Sequence, residues 1–511
     1  MKEVIKKSDR IAIINGNTRI SFTEMLQHIY QFSKVCTCQK GDRILILSEN
    51  REGWIYAFYG IWANQAIAVP IDAEGTLEDI SYIMKDSKPS AIWVSKKKQN
   101  DALEALKMAG IDIPMHVIDD YEFADASACP LAEIPNDEND TCIICYTSGT
   151  TGSPKGVMIS FGNMFANTDA VYKHVHIYDE NRRTLILLPL HHILSLGGTC
   201  VISFMCGGGV ALCQSLSAPK LMQALQNGQV SIVVGVPRLW QMLYRGIKSK
   251  IDANAITRTL FKICEKLQWR GLSRVVFKSV RDKMGGKIVY LVSAGAALDV
   301  ETGKGLKTLG LDVLEGYGMT EAAPMITFTR PDDIRPGCSG IAVPGCEVKI
   351  IDGEICYKGP NVMQGYYGRP EETAAIFDSE GFLHSGDLGV IDSEGHLTVT
   401  GRKKEIIVLS NGKNVNPNEL EEKLEKYADY VKEVGVTFAD DKLVAIVVPS
   451  EDFAKDKSDA QIMDALRHNV MAPFNESVAP YKKVSRIVLS STPLPRTRLE
   501  KLQRYKLQQM L

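Results

Sequence analysis

The run YTSGTTGSPKG, Tyr146 to Gly156, gathers three glycines, five Ser/Thr hydroxyls and one lysine. That mixture suits an anion. Glycines let backbone N–H groups approach and turn toward phosphate oxygens, hydroxyls donate further hydrogen bonds, and Lys155 adds a compact positive charge. No GxxxxGK[ST] spacing can be drawn through the run, so it is not a Walker A loop and a P-loop kinase is disfavoured. A flexible Ser/Gly surface linker would explain neither the apolar strand before the run nor the lysine within it.

The strand that delivers this loop is TCIICY, and its Cys142 and Cys145 form a CxxC. No second Cys/His pair sits at zinc-site spacing, so the two thiols read as buried and structural. Further apolar β-rich runs, RILILS, AIAVPID, AIWVS, SIVVGVP and KIVYLVS, alternate with helical-looking stretches, the signature of α/β layers with largely parallel sheets. Beyond Ile350 the pattern changes to short strands and turns, which predicts a smaller antiparallel β unit. A boundary follows near Arg402. In NPNELEEKLEKY, Asn416 reads as an N-cap, Pro417 as the first helical residue and Glu419 as a capping-box partner. The expected architecture is therefore α/β. A large N-terminal domain of layered α/β subdomains plus a small β unit, residues 1–401, precedes a small C-terminal α/β domain, residues 402–511.

A chain of 511 residues with 45% hydrophobic and 23% charged residues has the composition of an ordinary multidomain globular protein. Its net charge of -2 supplies no global field for nucleic acid or an anionic membrane, so anions must be bound locally. No nucleic-acid partner is expected. The start MKEVIKKSDRIAI has no long apolar stretch or cleavage site, and scattered cysteines in apolar runs suit reduced thiols, which together predict a cytoplasmic location. Between Thr184 and Pro219 there is no Asp, Glu, Lys or Arg. Pro189 and several glycines break that stretch into pieces too short to span a bilayer, and a buried strand, loop, helix and strand is expected. The Lys/Arg-dense segment FKICEKLQWRGLSRVVFKSVRDKMGG is expected to be a solvated helix face rather than a docking surface.

The Tyr146–Gly156 run closely resembles the phosphate-binding signature of AMP-forming acyl-CoA synthetases, luciferases and peptide-synthetase adenylation domains, the adenylate-forming superfamily. Further matches follow in the family's order to the C-terminus. The resemblance implies that Thr147, Ser148, Gly149, Thr150, Thr151, Gly152 and Lys155 hold the phosphates of ATP. In LPLHH, His192 matches a histidine near the acyl pocket that orients a carboxylate. VSAGAALD, with Gly295, Ala296 and Ala297, looks like the small-residue strand exit on which adenine packs, and Tyr317 of GYGMTE looks like its aromatic partner. Thr320 would hydrogen-bond the α-phosphate, and Glu321 would supply the hard oxygen ligand that Mg²⁺ prefers. Asp387 of HSGDLG matches the aspartate that accepts from both ribose hydroxyls. In GRKKEIIVLSNGKNVNPNELE, Arg402 would reach ribose or phosphate, Lys404 occupies the hinge position, and Gly412 lines the path of the thiol. PLPRTRLEKLQRYKL aligns with the tail carrying the adenylation lysine, which places that role on Lys501. Relatives usually have glycine before this lysine, whereas Glu500 stands here.

The implied reaction has two halves, with acyl-AMP and pyrophosphate formed from the acid and MgATP, and AMP then displaced by a thiol. The small C-terminal domain rotates between them. The stretch from VPRLWQMLYRGI onward resembles long-chain fatty acyl-CoA synthetases, in which Trp240 is either the gate of the acyl tunnel or a core anchor. The expected substrates are a medium- or long-chain fatty acid, ATP with Mg²⁺, and CoA. The alternatives are a ligase that loads a carrier protein and, because of Glu500, a nucleotide- or acyl-binding homologue without adenylation. A peripheral membrane contact is kept as a further partner.

Overall fold

A computed structural model describes residues 2–147, 154–213, 215, 217–410, 413–497 and 502–511. Ser148, Gly149, Thr150, Thr151, Gly152, Gly412, Glu500 and Lys501 lie outside the described residues. The chain divides into two compact units. The larger comprises Met1–Lys349, Cys356–Ser385 and Ile391–Thr398, and the smaller comprises Ile350–Ile355, Gly386–Val390 and Val399–Leu511.

The larger unit is built on two mostly parallel sheets. In the first, Ile11–Asn15, Gly209–Leu212, Arg183–Ile186, Ile232–Gly235, Tyr290–Ser293 and Asp312–Gly318 lie side by side in that order, each parallel to the next. Antiparallel strands close both edges, Thr18–Ser21 on one and Met325–Phe328 with Ile341–Ala342 on the other. In the second, Met115–Val117, Ala91–Val94, Arg43–Leu47, Ile67–Ile71 and Thr141–Thr147 run parallel, followed by antiparallel Lys155–Ser160 and Gly365–Tyr366. Strands such as Ala91–Val94 and Ile232–Gly235 are buried along their whole length, as parallel strands covered on both faces must be. This explains their unbroken apolar sequences.

The stretch without charged side chains folds as the strand Arg183–Ile186, a helical run from Ile193 to Met205 and the strand Gly209–Leu212. Among the described residues no helix is long and apolar enough to cross a membrane. All twelve cysteines are free thiols, and nine are buried. Burial pushes the Cys145 thiol up to about 12 and raises Cys142 well above its ordinary value, so the CxxC is an inert part of the core.

The smaller unit contains the hairpin Val431–Ala439 and Lys442–Pro449, with Arg486–Leu489 parallel to its second strand. Leu420 and Leu424 of the helix Pro417–Glu425 join Val434, Val436, Ile462 and Phe474 in its core. Asn416 caps that helix by accepting from the Asn418 N–H at 3.1 Å, and Pro417 opens it. The capping box expected of Glu419 does not form. Its carboxylate accepts instead from Lys482 at 2.5 Å and Lys423 at 3.3 Å, because two ammonium groups are stronger partners for a carboxylate than one backbone N–H.

Candidate active site

The phosphate-type loop interrupts a tight hairpin. Thr147 stands opposite Lys155 and Tyr146 opposite Gly156, so the strands on either side of the run pair directly with each other. Gly156 is required at the join, since a Cβ there would lie 2.8 Å from the Ile144 side chain. The Lys155 ammonium is paired with the Glu372 carboxylate and sits 4.9 Å above the ring of Tyr366. Lys155 and then Arg369 hold Glu372 below the usual carboxylate range. The Tyr366 hydroxyl in turn donates to Glu321 at 2.8 Å. Burial and the Glu321 carboxylate push the phenol well above its ordinary range, so it remains a proton donor at neutral pH. Lys155 and Glu321, far apart in sequence, thus belong to one contact chain.

GYGMTE forms the turn between the strands Asp312–Gly318 and Met325–Phe328. A Cβ on Gly318 would lie 1.9 Å from the Pro324 carbonyl oxygen, so only glycine lets the turn close. The Asn361 amide donates to the Ala322 and Met325 carbonyls at 2.7 Å each, and the Met363 N–H donates to the Glu321 carbonyl at 2.9 Å. Half-buried Thr320 and buried Glu321 are held by this clamp. Tyr317 is also largely buried.

Tyr290–Ser293 pairs in register with Asp312–Gly318, Ser293 opposite Glu315, so the chain leaving the sheet at Ala294 passes beside Gly316 and Tyr317. Gly295 adopts φ +88°, and the nearest atoms to a Cβ there would be 3.8 Å and 3.9 Å away, on Val236 and Leu194. Within the protein its requirement for glycine is therefore conformational, and the space around it leaves room for the close approach of a flat ligand. Ala296 and Ala297 are exposed, leaving their backbone open to a flat ligand at the carboxyl end of parallel strands, where open α/β sheets bind ligands.

His192 begins the helical run at Ile193, with its ring 4.0 Å from that of His191. Asn50 fixes the approach to it by donating to the Leu188 carbonyl and accepting from the Leu190 N–H, both at 2.9 Å. Further along, Gly197 faces Pro324 of the GYGMTE turn. Trp240 is buried over Gly235, where a Cβ would meet the indole at 2.7 Å. Its indole N–H has no hydrogen-bond partner among the described residues.

In the smaller unit, Arg402 Nε lies 3.0 Å from Asp387 Oδ1, which brings the two ribose candidates together. Glu354 supports them by accepting from the Gly386 N–H at 2.8 Å and Lys403 at 2.9 Å. Lys404 is exposed in the turn Lys403–Glu405. On either side of Lys501, Arg496 and Leu502 form an antiparallel bridge, and Arg504 is held by Glu405, Glu421 and Asn418. The sequence reading missed Tyr366, Glu372 and Arg504. Each is a polar residue close to a motif in space, and the GYYGRPEE run containing the first two was the available signal.

The family of AMP-binding enzymes matches residues 2–367, and its C-terminal domain matches residues 404–510. The chain belongs to that family. Among curated relatives, the long-chain-fatty-acid–CoA ligase FadD15 of Mycobacterium bovis is 30% identical over 424 residues, covering 76% of this chain and 69% of its own. Feruloyl-CoA synthase of Amycolatopsis is 27% identical over 433 residues, covering 81% and 80%. Among solved structures, the O-succinylbenzoate CoA synthetase of Bacillus subtilis, in complex with ATP and magnesium ion, superposes with a TM-score of 0.78 at 25% identity over 98% of this chain and 97% of that one. The α/β architecture and the AMP-binding class of this chain are those of the family.

Proposed function

We propose that the chain is an AMP-forming acid–CoA ligase acting on a medium- or long-chain fatty acid. The observation that carries this reading is the contact chain Lys155–Tyr366–Glu321 at the base of the phosphate-type loop, in the same unit as the open Gly295–Ala297 strand exit. The relatives named for fatty-acid and feruloyl CoA ligation support the ligase class. The fatty-acid choice rests on FadD15 and on the resemblance around Trp240.

In the first half-reaction a carboxylate oxygen bonds to the α-phosphorus of ATP and pyrophosphate leaves. Both reactants are anions, so positive charge must gather them. Thr147 to Gly152 and Lys155 bind the phosphates, with Lys155 exchanging Glu372 for substrate. Thr320 donates to the α-phosphate, Gly295 to Ala297 and Tyr317 take the adenine, and Asp387 and Arg402 take the ribose. His192 orients the carboxylate, Trp240 gates the acyl tunnel, and Lys501 brings carboxylate and α-phosphate together. Glu321 would hold the magnesium of MgATP, which neutralises phosphate charge. A buried carboxylate oriented by a phenol O–H suits such a hard cation. In the second half-reaction the CoA sulfur bonds to the acyl carbon, AMP leaves, and Gly412 lines the thiol's path. Residues 1–401 form the adenylation domain, and residues 402–511 turn about Lys404 between the halves.

Exchange of labelled pyrophosphate into ATP, with acids from acetate to palmitate, tests the reading beside Lys501→Ala. Exchange peaking with long chains and lost in the variant is expected. CoA-dependent release of AMP separates CoA from a carrier protein as acceptor. No exchange with any acid would leave a nucleotide-binding homologue in place of a ligase.

A further inference from the structure

The helix Ala255–Leu267 carries two apolar stripes where a surface helix needs one. Phe261 and Cys264 are packed into the core, while Ile256, Leu260, Ile263 and Leu267, spaced on a second face, point outward. Ile256 is 71% exposed, Leu267 57%, and Trp269 just beyond the helix 65%. Lys262 and Lys266 flank this second stripe, and both are exposed without an ion pair among the described residues. From Pro237 to Lys287 the chain carries thirteen Lys and Arg against three Asp and Glu, in a protein whose net charge is -2. The solvated helix face expected from the sequence leaves these exposed apolar residues without an explanation.

From this pairing of stripe and charge we infer that the Ala255–Trp269 face docks on an anionic lipid bilayer. Protruding Ile, Leu and Trp side chains bordered by lysines are what an interfacial helix presents, with the apolar face entering the headgroup boundary and the cations meeting lipid phosphates. The stripe stands on a convex helix, which a fluid phase can surround, whereas a protein partner would have to supply a fitted groove. Tryptophan at the rim suits the same boundary. The helix also leans on the Pro237–Asp252 helix that bears Trp240, with Lys248 Nζ 5.2 Å over the Phe261 ring. If the proposed fatty-acid specificity holds, the docked face lies beside the elements that receive a membrane-borne acid, and that last step alone rests on the proposed function.

Trp269 is a built-in reporter, because the other four tryptophans are each 1% exposed. The full chain is mixed with vesicles of pure phosphatidylcholine, or of phosphatidylcholine with phosphatidylglycerol, and followed by co-sedimentation and tryptophan emission. Binding to the anionic vesicles with a blue shift is expected. It weakens with salt, and it falls by roughly tenfold or more in Lys262→Glu/Lys266→Glu. The exposed pair Ile263→Gln/Leu267→Gln is expected to lose binding at unchanged melting temperature. Absence of binding to anionic vesicles at low salt would overturn the inference, as would wild-type binding by both variants. A dimer in buffer that the glutamine pair dissolves would reassign the face to self-association, and selective capture of an acidic protein without vesicle binding would reassign it to a protein partner. Vesicle binding needs no catalysis, so loss of pyrophosphate exchange in every protein would count against the ligase reading alone.

Discussion

Tyr366→Phe deletes the hydroxyl from which Glu321 accepts at 2.8 Å and leaves the ring beneath Lys155 in place. A hydrogen bond to a charged group contributes about 1.5–3 kcal/mol, so kcat/KM is expected to fall roughly ten- to a hundredfold. The Mg²⁺ concentration that supports half-maximal pyrophosphate exchange should rise, a change that a purely structural role would not cause. Glu315 carries a second prediction. Burial pushes its carboxyl up to about 8, although the Gly337 N–H donates to it at 2.7 Å. Below the unfolded value the group is neutral in both states and costs nothing. As pH rises from there to about 8 the unfolded chain ionises first, so stability falls across that window, by several kcal/mol in total. The thermal midpoint of wild type should therefore drop between pH 5 and pH 8, and Glu315→Gln should remove most of the drop. Glu321 was legible because its motif is contiguous, whereas its partner Tyr366 lies 45 residues away, in a strand of the other sheet, and only the fold brings them together.

At the scale of elements, Gly318 decides whether the GYGMTE turn exists. With a Cβ placed 1.9 Å from the Pro324 carbonyl, Gly318→Ala must push two backbones apart. A loss of about 3 kcal/mol or more is expected, read as a lower urea midpoint together with lost nucleotide binding. Asn416→Ala removes a cap and should cost about 1 kcal/mol without touching nucleotide affinity. The parallel strands were readable because burial on both faces demands unbroken apolar runs. The Asn416–Pro417 helix start was readable because a cap acts locally. The Glu419 contact was not, since its partner Lys482 stands 63 residues on. Neither was the outward stripe of Ala255–Leu267, because apolar residues at helical spacing look the same whether or not a neighbour covers them.

For the whole molecule, the two units carry separate cores, with Leu420, Val436 and Phe474 of the smaller one buried among its own elements. Because the core residues of the smaller unit all lie within residues 402–511, a fragment of those residues is expected to melt cooperatively by itself, and one of residues 1–401 to bind ATP without supporting exchange. Calorimetry and the exchange assay check the two halves of that statement. The chain's charge adds one more property. Its isoelectric point is near 6.5, yet the cations between Pro237 and Lys287 are concentrated enough to leave the remainder markedly acidic. Such a chain combines a strongly cationic segment with an acidic remainder. At neutral pH and low salt it should adhere to both cation- and anion-exchange resins, and near a charged surface it should rotate into alignment before it makes contact.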